Sequence, residues 1–271
     1  AQKYLQRQLI HYAGDIETQA YDEGVDVDEL MQHAEGELFQ LSQGNMKQDY
    51  TQIDPVIKDA VDILQRAAQN KGGLTGIPTG YQQMDDMTSG WQPSDLVIIA
   101  GRPAMGKTSF ALSIAKNVAV DHGVPIGFFS LEMNNVQLVN RLISNVCEIS
   151  GKKILNGQLD PSEWERLDKK IRSLTGAPIY IDDTPGLSVF ELRTKARRLV
   201  REKGVKLLMI DYLQLMNANG MKFGSRQEEV STISRSLKGL AKELNIPVLA
   251  LSQLSRNVEN REGLEGKRPQ L

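Results

Sequence analysis

The octapeptide GRPAMGKT at residues 101–108 follows the apolar run LVIIA at 96–100 and precedes SFALSIAKNVAV at 109–120. It fits the pattern G-x-x-x-x-G-K-[ST], and a β-rich run before it with a helical run after it is the setting that pattern requires. The chemistry explains the spacing. Glycines let successive backbone amides curl around phosphates, the following helix turns its N-terminus toward the anion, and Lys107 reaches the β and γ oxygens. Thr108 offers a hydroxyl to Mg²⁺. Gly101, Arg102, Pro103, Ala104, Met105, Gly106, Lys107, Thr108 and Ser109 are therefore the candidate nucleotide contacts, with ATP and Mg²⁺ as the expected cofactors. An ordinary glycine turn is the plain alternative, and the complete motif in its required setting outweighs it.

Outward from this loop, short apolar runs alternate with helical stretches: LVIIA, PIGFFSL (125–131), PIYI (178–181), VKLLMI (205–210) and PVLAL (247–251). That alternation predicts an α/β fold with a mainly parallel sheet covered by helices on both faces. Runs this apolar read as central rather than edge strands. Asp211 ends the run KLLMI and is the candidate second metal ligand, the Walker B acid, although an aspartate there could also cap a loop. Tyr212 follows it, where several ATPase classes carry the water-activating acid, so another base is required. Glu132 ends PIGFFSL, a run expected to pair beside the phosphate-loop strand, and is the candidate that orients the attacking water. A surface acid is the alternative. Gln253 ends PVLALSQ at the same sheet edge and reads as a γ-phosphate sensor, or as a polar strand terminus.

Before Thr75 the chain is helical. Leu5, Leu9, Tyr12, Ile16 and Ala20 recur at helical spacing, as do Leu30, Met31, Ala34, Leu38 and Leu41, so residues 1–41 read as a helical hairpin turned at Gly24. Asp26 and Glu29 form the carboxylate version of a capping box at the second helix. Residues 42–74 read as a linker, polar from Ser42 (SQGNMKQDY) and broken again by KGGLTGIPTG from Lys71. Between these breaks Ile53, Val56, Ile57, Ala60, Val61, Leu64 and Ala68 make one apolar stripe. That stripe either packs on its own domain or docks on a neighbouring subunit. Residues 75–271 form the ATPase domain.

Thirty-two Lys and Arg against 34 Asp and Glu leave a formal net charge of −2, so no overall basic field holds a polyanion and any nucleic-acid contact is local. The single Cys147 excludes an internal disulfide, and His11, His33 and His122 stand too far from other ligands to suggest a zinc or iron cluster. No apolar run approaches the roughly 20 residues of a membrane helix. These features predict a soluble, cytoplasmic protein cut from something longer.

The stretch GIPTGYQQMDDMTSGWQPSDLVIIAGRPAMGKTSFAL (76–112), with FFSLEM (128–133), LLMIDYLQLM (207–216) and VLALSQLSR (248–256), resembles the bacterial DnaB-type replicative helicases. The resemblance covers nearly the whole chain. It implies a RecA-like P-loop NTPase preceded by the end of an N-terminal domain and a linker helix. It carries over Lys107, Thr108, Glu132, Asp211 and Gln253 in the roles already assigned. It further implies a homohexamer that encircles single-stranded DNA and moves 5′ to 3′ on ATP or another nucleoside triphosphate, with primase and a helicase loader as partners. The family pattern continues past KRPQL into DNA-contacting residues and basic residues donated to the neighbour's γ-phosphate. An arginine finger is worth roughly 10³ to 10⁵ in rate, so a chain that stops at Leu271 is expected to bind nucleotide and hydrolyse it poorly.

For DNA, the loop NANGMKFGSRQ (217–227) offers Lys222 and Arg226 to phosphates and Phe223 to a base, with a solvated loop as the alternative. The run carrying Arg193, Lys195, Arg197, Arg198, Arg201 and Lys203 is also basic, and a solvated helix face is the favoured reading. Among other functions, a RecA-like recombinase shares the motor but lacks the separate linker helix. A small-molecule kinase or GTPase shares only the phosphate loop, and no N-K-x-D motif is present. An assembly and partner-binding module is the remaining alternative.

Overall fold

The computed structural model describes residues 2–22, 24, 26–43, 52–69, 74–217 and 225–254. Helices α1 (Gln2–Ala20) and α2 (Val27–Gln43) form the expected hairpin, pinned where the Tyr12 hydroxyl donates to the Ala34 carbonyl at 2.8 Å. The Gly24 amide donates to Asp22 Oδ1 in the turn, and α2 starts with the Leu30 amide on the Asp26 carbonyl. The Glu29 side chain of the expected capping box lies outside the described side chains. Helix α3 (Ile53–Gln69) carries the apolar stripe, and Ile53, Val56, Ile57, Val61 and Leu64 are all exposed, from 43% to 67%.

From Thr75 the chain forms one five-stranded sheet. Its strands are β1 (Leu96–Gly101), β2 (Ile126–Ser130), β3 (Ile179–Asp182), β4 (Leu207–Asp211) and β5 (Val248–Gln253). All pairings are parallel, in the order β1-β5-β4-β2-β3. Each strand falls within a residue or two of its apolar run. Two sequence expectations fail. Strand β2 pairs with β3 and β4, not with the phosphate-loop strand, whose neighbour is β5. Strands β1 and β3 are also edges among the described residues, and both are only half-buried, whereas β2 and β4 are buried throughout. Apolarity reports burial on the two faces and is silent about which strand lies alongside.

The alternation within the buried strands sorts two cores. Phe129, Leu208, Ile210, Val248 and Ala250 face one way, onto α9 (Val189–Lys203) and α10 (Arg226–Leu244). Ile126, Phe128, Leu207, Met209 and Leu249 face the other, onto α5 (Lys107–Lys116) and α6 (Asn135–Cys147). A strand side chain reverses face at each residue, so a run apolar at every position needs helices on both sides. Ahead of β1 lies α4 (Gln82–Thr88), and α7 (Gly151–Asn156) with α8 (Pro161–Leu174) fills the connection from α6 to β3.

Capping chemistry sets the helix boundaries. Asp160 with Glu163 and Ser188 with Glu191 form capping boxes at α8 and α9, and Asn134 caps α6 by accepting from the Gln137 amide. The Ser162 hydroxyl and the Glu163 amide, both donating to Asp160, hold its carboxyl down at about 2. The basic face of α9 is mostly engaged with acids. Arg193 and Arg197 both bind Glu243 of α10, Lys195 binds Asp182 and Thr184, and Arg198 and Arg201 lie against Glu202. Among the described residues no helix is long and apolar enough to cross a membrane.

Candidate functional site

Because all five strands run parallel, their C-terminal ends share one edge of the sheet, and the sequence-predicted residues converge there. Strand β1 delivers Gly101, the chain turns through residues 102–106, and α5 begins at Lys107. Ala104 and Gly106 take positive φ, 61° and 82°. A Cβ on Gly106 would meet nothing within 4 Å, so the left-handed backbone, not space, is what calls for glycine there. At Gly101 a Cβ would stand 3.2 Å from Lys107 Cγ, because the lysine stem lies across the strand end. Lys107 Nζ donates to the Arg102 carbonyl at 3.1 Å, which keeps its charge at the mouth of the loop.

The first helical bond of α5 runs from the Phe110 amide to the Gly106 carbonyl at 2.9 Å. Amides preceding it have no partner within the helix and carry the positive end of its dipole. Together these features make an anion cradle. A cavity of about 380 Å³ lies over it, lined by Ile99, Gly101, Arg102, Met105, Lys107 and Leu254 among others. A second cavity, about 490 Å³, opens beside Ser109 between α5, α6 and α7, with Gln137, Arg141 and Leu155 on its walls.

Asp211 ends β4 opposite Ser130 of β2, and the Leu131 amide donates to the Asp211 carbonyl at 2.7 Å. Glu132 is the next residue, exposed in a turn held by the Ser130 hydroxyl on the Met133 carbonyl at 2.7 Å. The two acids therefore come from adjacent strands. Asp211 is 1% exposed, and neither of its carboxylate oxygens has a hydrogen-bond partner. Burial pushes its carboxyl above the usual range. The Thr108 hydroxyl, close by but outside hydrogen-bond geometry, opposes the rise and the charge of Glu132 adds to it, while Lys107 and Arg141 oppose it without reversing it. Burial, Glu132 and Asp211 likewise raise the Tyr212 phenol. Residues from α5, α6 and the ends of β2 and β4 thus lie within one another's fields. A buried carboxylate with two unsatisfied oxygens, beside a hydroxyl and an anion cradle, suits a small divalent cation with oxygen ligands.

Gln253 is exposed at the end of β5, in register with Gly101, and the Leu254 amide donates to the Gly101 carbonyl at 3.2 Å. It lies one strand from the phosphate loop, whereas Glu132 is three strands away and reaches the site beside Asp211. Of the DNA candidates, Lys222 and Phe223 lie outside the described residues. Arg226 opens α10 and is engaged by the Gln214 carbonyl and by Glu229. Sequence reasoning missed Arg141, whose position on α6 carries no local signal, and Gln214, in the 3₁₀ turn Leu213–Leu215.

A family model, the DnaB-like helicase C terminal domain, matches residues 76–271. The chain belongs to the DnaB-like helicase family. It is 43% identical over 270 residues to the replicative DNA helicase DnaB of Geobacillus stearothermophilus, and 42% identical over 270 residues to the replicative DNA helicase DnaC of Bacillus subtilis (strain 168). Each match takes in all of this chain and 59% of the relative, so the chain spans about three fifths of the curated relatives' length. Among solved structures, one described as an ATPase domain superposes with a TM-score of 0.72 at 38% identity, covering 82% of this chain and 77% of that one. A DnaB-like replicative helicase described with its interactions with primase gives 0.69 at 34% identity, over 100% of this chain and 62% of that one. The matched DnaB-like domain is therefore the part of this chain that holds the phosphate loop, Glu132, Asp211 and Gln253, and the family resemblance read from the motifs is correct.

Proposed function

We propose that this chain belongs to the motor of a replicative DNA helicase, and that the full-length protein binds and hydrolyses ATP and converts the cycle into 5′ to 3′ movement along single-stranded DNA. The observation that carries this reading is the orphaned, buried Asp211 carboxylate at the sheet edge that also presents the phosphate loop and Glu132. The amides of the loop and Lys107 hold the β and γ phosphates. Thr108 and Asp211 hold Mg²⁺, which when bound spreads the charge that develops on the transferring phosphoryl group. Glu132 orients the attacking water and accepts its proton, and Gln253 meets the γ-phosphate. Lys222, Phe223 and Arg226 contact the DNA strand, for which Arg226 must exchange the Gln214 carbonyl for a phosphate.

The reading includes a homohexamer, and the exposed stripe of α3 is the kind of surface a neighbouring subunit covers. Primase and a helicase loader are the partners the family suggests. The deciding experiment compares Lys107→Ala with Glu132→Gln in the full-length protein, using a fluorescent ATP analogue and a phosphate-release assay. Lys107→Ala abolishes binding, whereas Glu132→Gln binds as the parent does and does not turn over. Equal loss of binding in both variants contradicts the assigned roles.

A further inference from the structure

Gln214 makes a set of bonds that its place in the chain does not require. Its Oε1 accepts from the Gln253 amide at 3.1 Å, and its Nε2 donates to the Gln253 carbonyl at 3.1 Å and to the buried Ser252 hydroxyl at 2.9 Å. A primary amide carries one acceptor oxygen and two donors, and here it addresses both backbone groups of a single residue as a neighbouring strand would. The reason lies in the sheet. Pairing between β4 and β5 stops at Ile210 with Ala250, while β5 continues to Gln253 along β1. The last residues of β5 therefore lack a β4 neighbour at the site, and Gln214 stands in for it.

The same residue faces the other way through its main chain. Its carbonyl accepts from Arg226 at the start of α10, and Arg226 is also paired with Glu229. A continuous series of hydrogen bonds thus runs from the α10 N-terminus through Gln214 to the backbone of Gln253. It ends at the phosphate loop, where the Leu254 amide donates to the Gly101 carbonyl.

We infer that Gln214 is a positioning residue that sets Gln253 over the γ-phosphate and ties that setting to the N-terminus of α10 through Arg226. The inference rests on the reading of Gln253 as the γ-phosphate contact. Gln214, bonded to Ser252 and to the backbone of Gln253, is assigned no phosphate contact of its own. Its removal should therefore leave the cradle for the α and β phosphates intact and blunt only the discrimination between tri- and diphosphate.

The test measures Kd for a fluorescent, non-hydrolysable ATP analogue and for the matching ADP probe in the full-length protein. The variants are Gln214→Glu, Gln214→Ala, Gln253→Ala and the double variant Q214E/Q253A. Gln214→Glu is near-isosteric and sets a carboxylate against the Gln253 carbonyl, and Gln214→Ala supplies the same reading if the charged variant does not melt as a folded protein. The ADP affinity stays at the parental value, and the preference for triphosphate falls roughly fivefold or more in each single variant. The double variant falls no further than Gln253→Ala alone, since residues acting as one unit are not additive.

An unchanged triphosphate preference in a folded Gln214 variant overturns the inference, as does additivity in the double variant. A parental preference in Gln253→Ala, with nucleotide still bound, removes the sensor reading and the inference with it. Failure of the parent protein to bind either nucleotide refutes the nucleotide site itself.

Discussion

Replacing Asp211 with asparagine separates a stabilising effect from a functional loss. The side chain is 1% exposed and both oxygens are unsatisfied. A buried polar group without a partner costs about 1–3 kcal/mol, and a charged one more. Asparagine keeps the size and leaves polar atoms unpaired, so only the charge-dependent part of the cost is relieved. We expect about 1 kcal/mol of stabilisation in the nucleotide-free protein, which is roughly 2–4 °C in Tm for a domain of this size.

With Mg²⁺ and a non-hydrolysable ATP analogue at about a hundred times Kd, the parent gains about 2.7 kcal/mol. Asp211→Asn keeps only the metal-independent share contributed by Lys107 and the loop amides. The effect of pH has a definite sign. The folded carboxyl titrates above its ordinary 3.8, so between the two values the folded state holds more protons than the unfolded one. This contribution to stability is complete below the unfolded value and is lost as pH rises through the folded one, a slope the asparagine variant lacks. Thermal melts with and without Mg²⁺ and analogue, over a pH series, measure all three. If Asp211→Asn melts lower than the parent without nucleotide, and Mg²⁺ raises the melts of both by the same increment, the carboxylate is not the group awaiting the cation.

Other perturbations test the scaffold around the site. Gly106→Ala forces a Cβ onto a left-handed residue and should cost about 1–2 kcal/mol in a urea melt while weakening nucleotide binding. Leu237→Ala, in the fully buried face of α10, should cost about 2–5 kcal/mol in the same assay with nucleotide affinity unchanged. At Glu243 burial pushes the carboxyl up, but the hydrogen bonds from Arg197 and Arg193 outweigh it and the net shift is downward. Glu243→Gln should therefore cost at most about 1 kcal/mol. The parent's advantage should be present above the ordinary carboxylate pKa and disappear as pH falls through the lowered value, read by melts from neutral to acid pH.

Local pattern carries much of this structure. The strand positions, the phosphate loop and the acids at strand ends follow from apolar runs and from chemistry that tolerates few residue types. Strand order does not follow. Nothing in PIGFFSL or PVLALSQ distinguishes a neighbour of β1 from a strand three places away, because every buried parallel strand satisfies its two faces in the same way. The sequence argument for Glu132 rests on an adjacency to the phosphate-loop strand that does not exist, and Glu132 reaches the site beside Asp211 of β4 instead. Gln214 is invisible for a related reason. Its role depends on where β4 ends against β5, which is a property of the pairing and not of the run DYLQLM.

The insertion of β5 between β1 and β4 also bears on how the protein is made. During synthesis the phosphate-loop strand emerges early, and its hydrogen-bonding partner follows about 150 residues later. Until then LVIIA is an apolar segment with an open edge, the kind of surface that recruits other chains. The strand that covers one edge of β1 also carries Gln253, so the nascent chain gains the proposed γ-phosphate contact in the same event that closes that edge. Nucleotide added to a translation reaction should therefore have nothing complete to grip before β5 has left the ribosome.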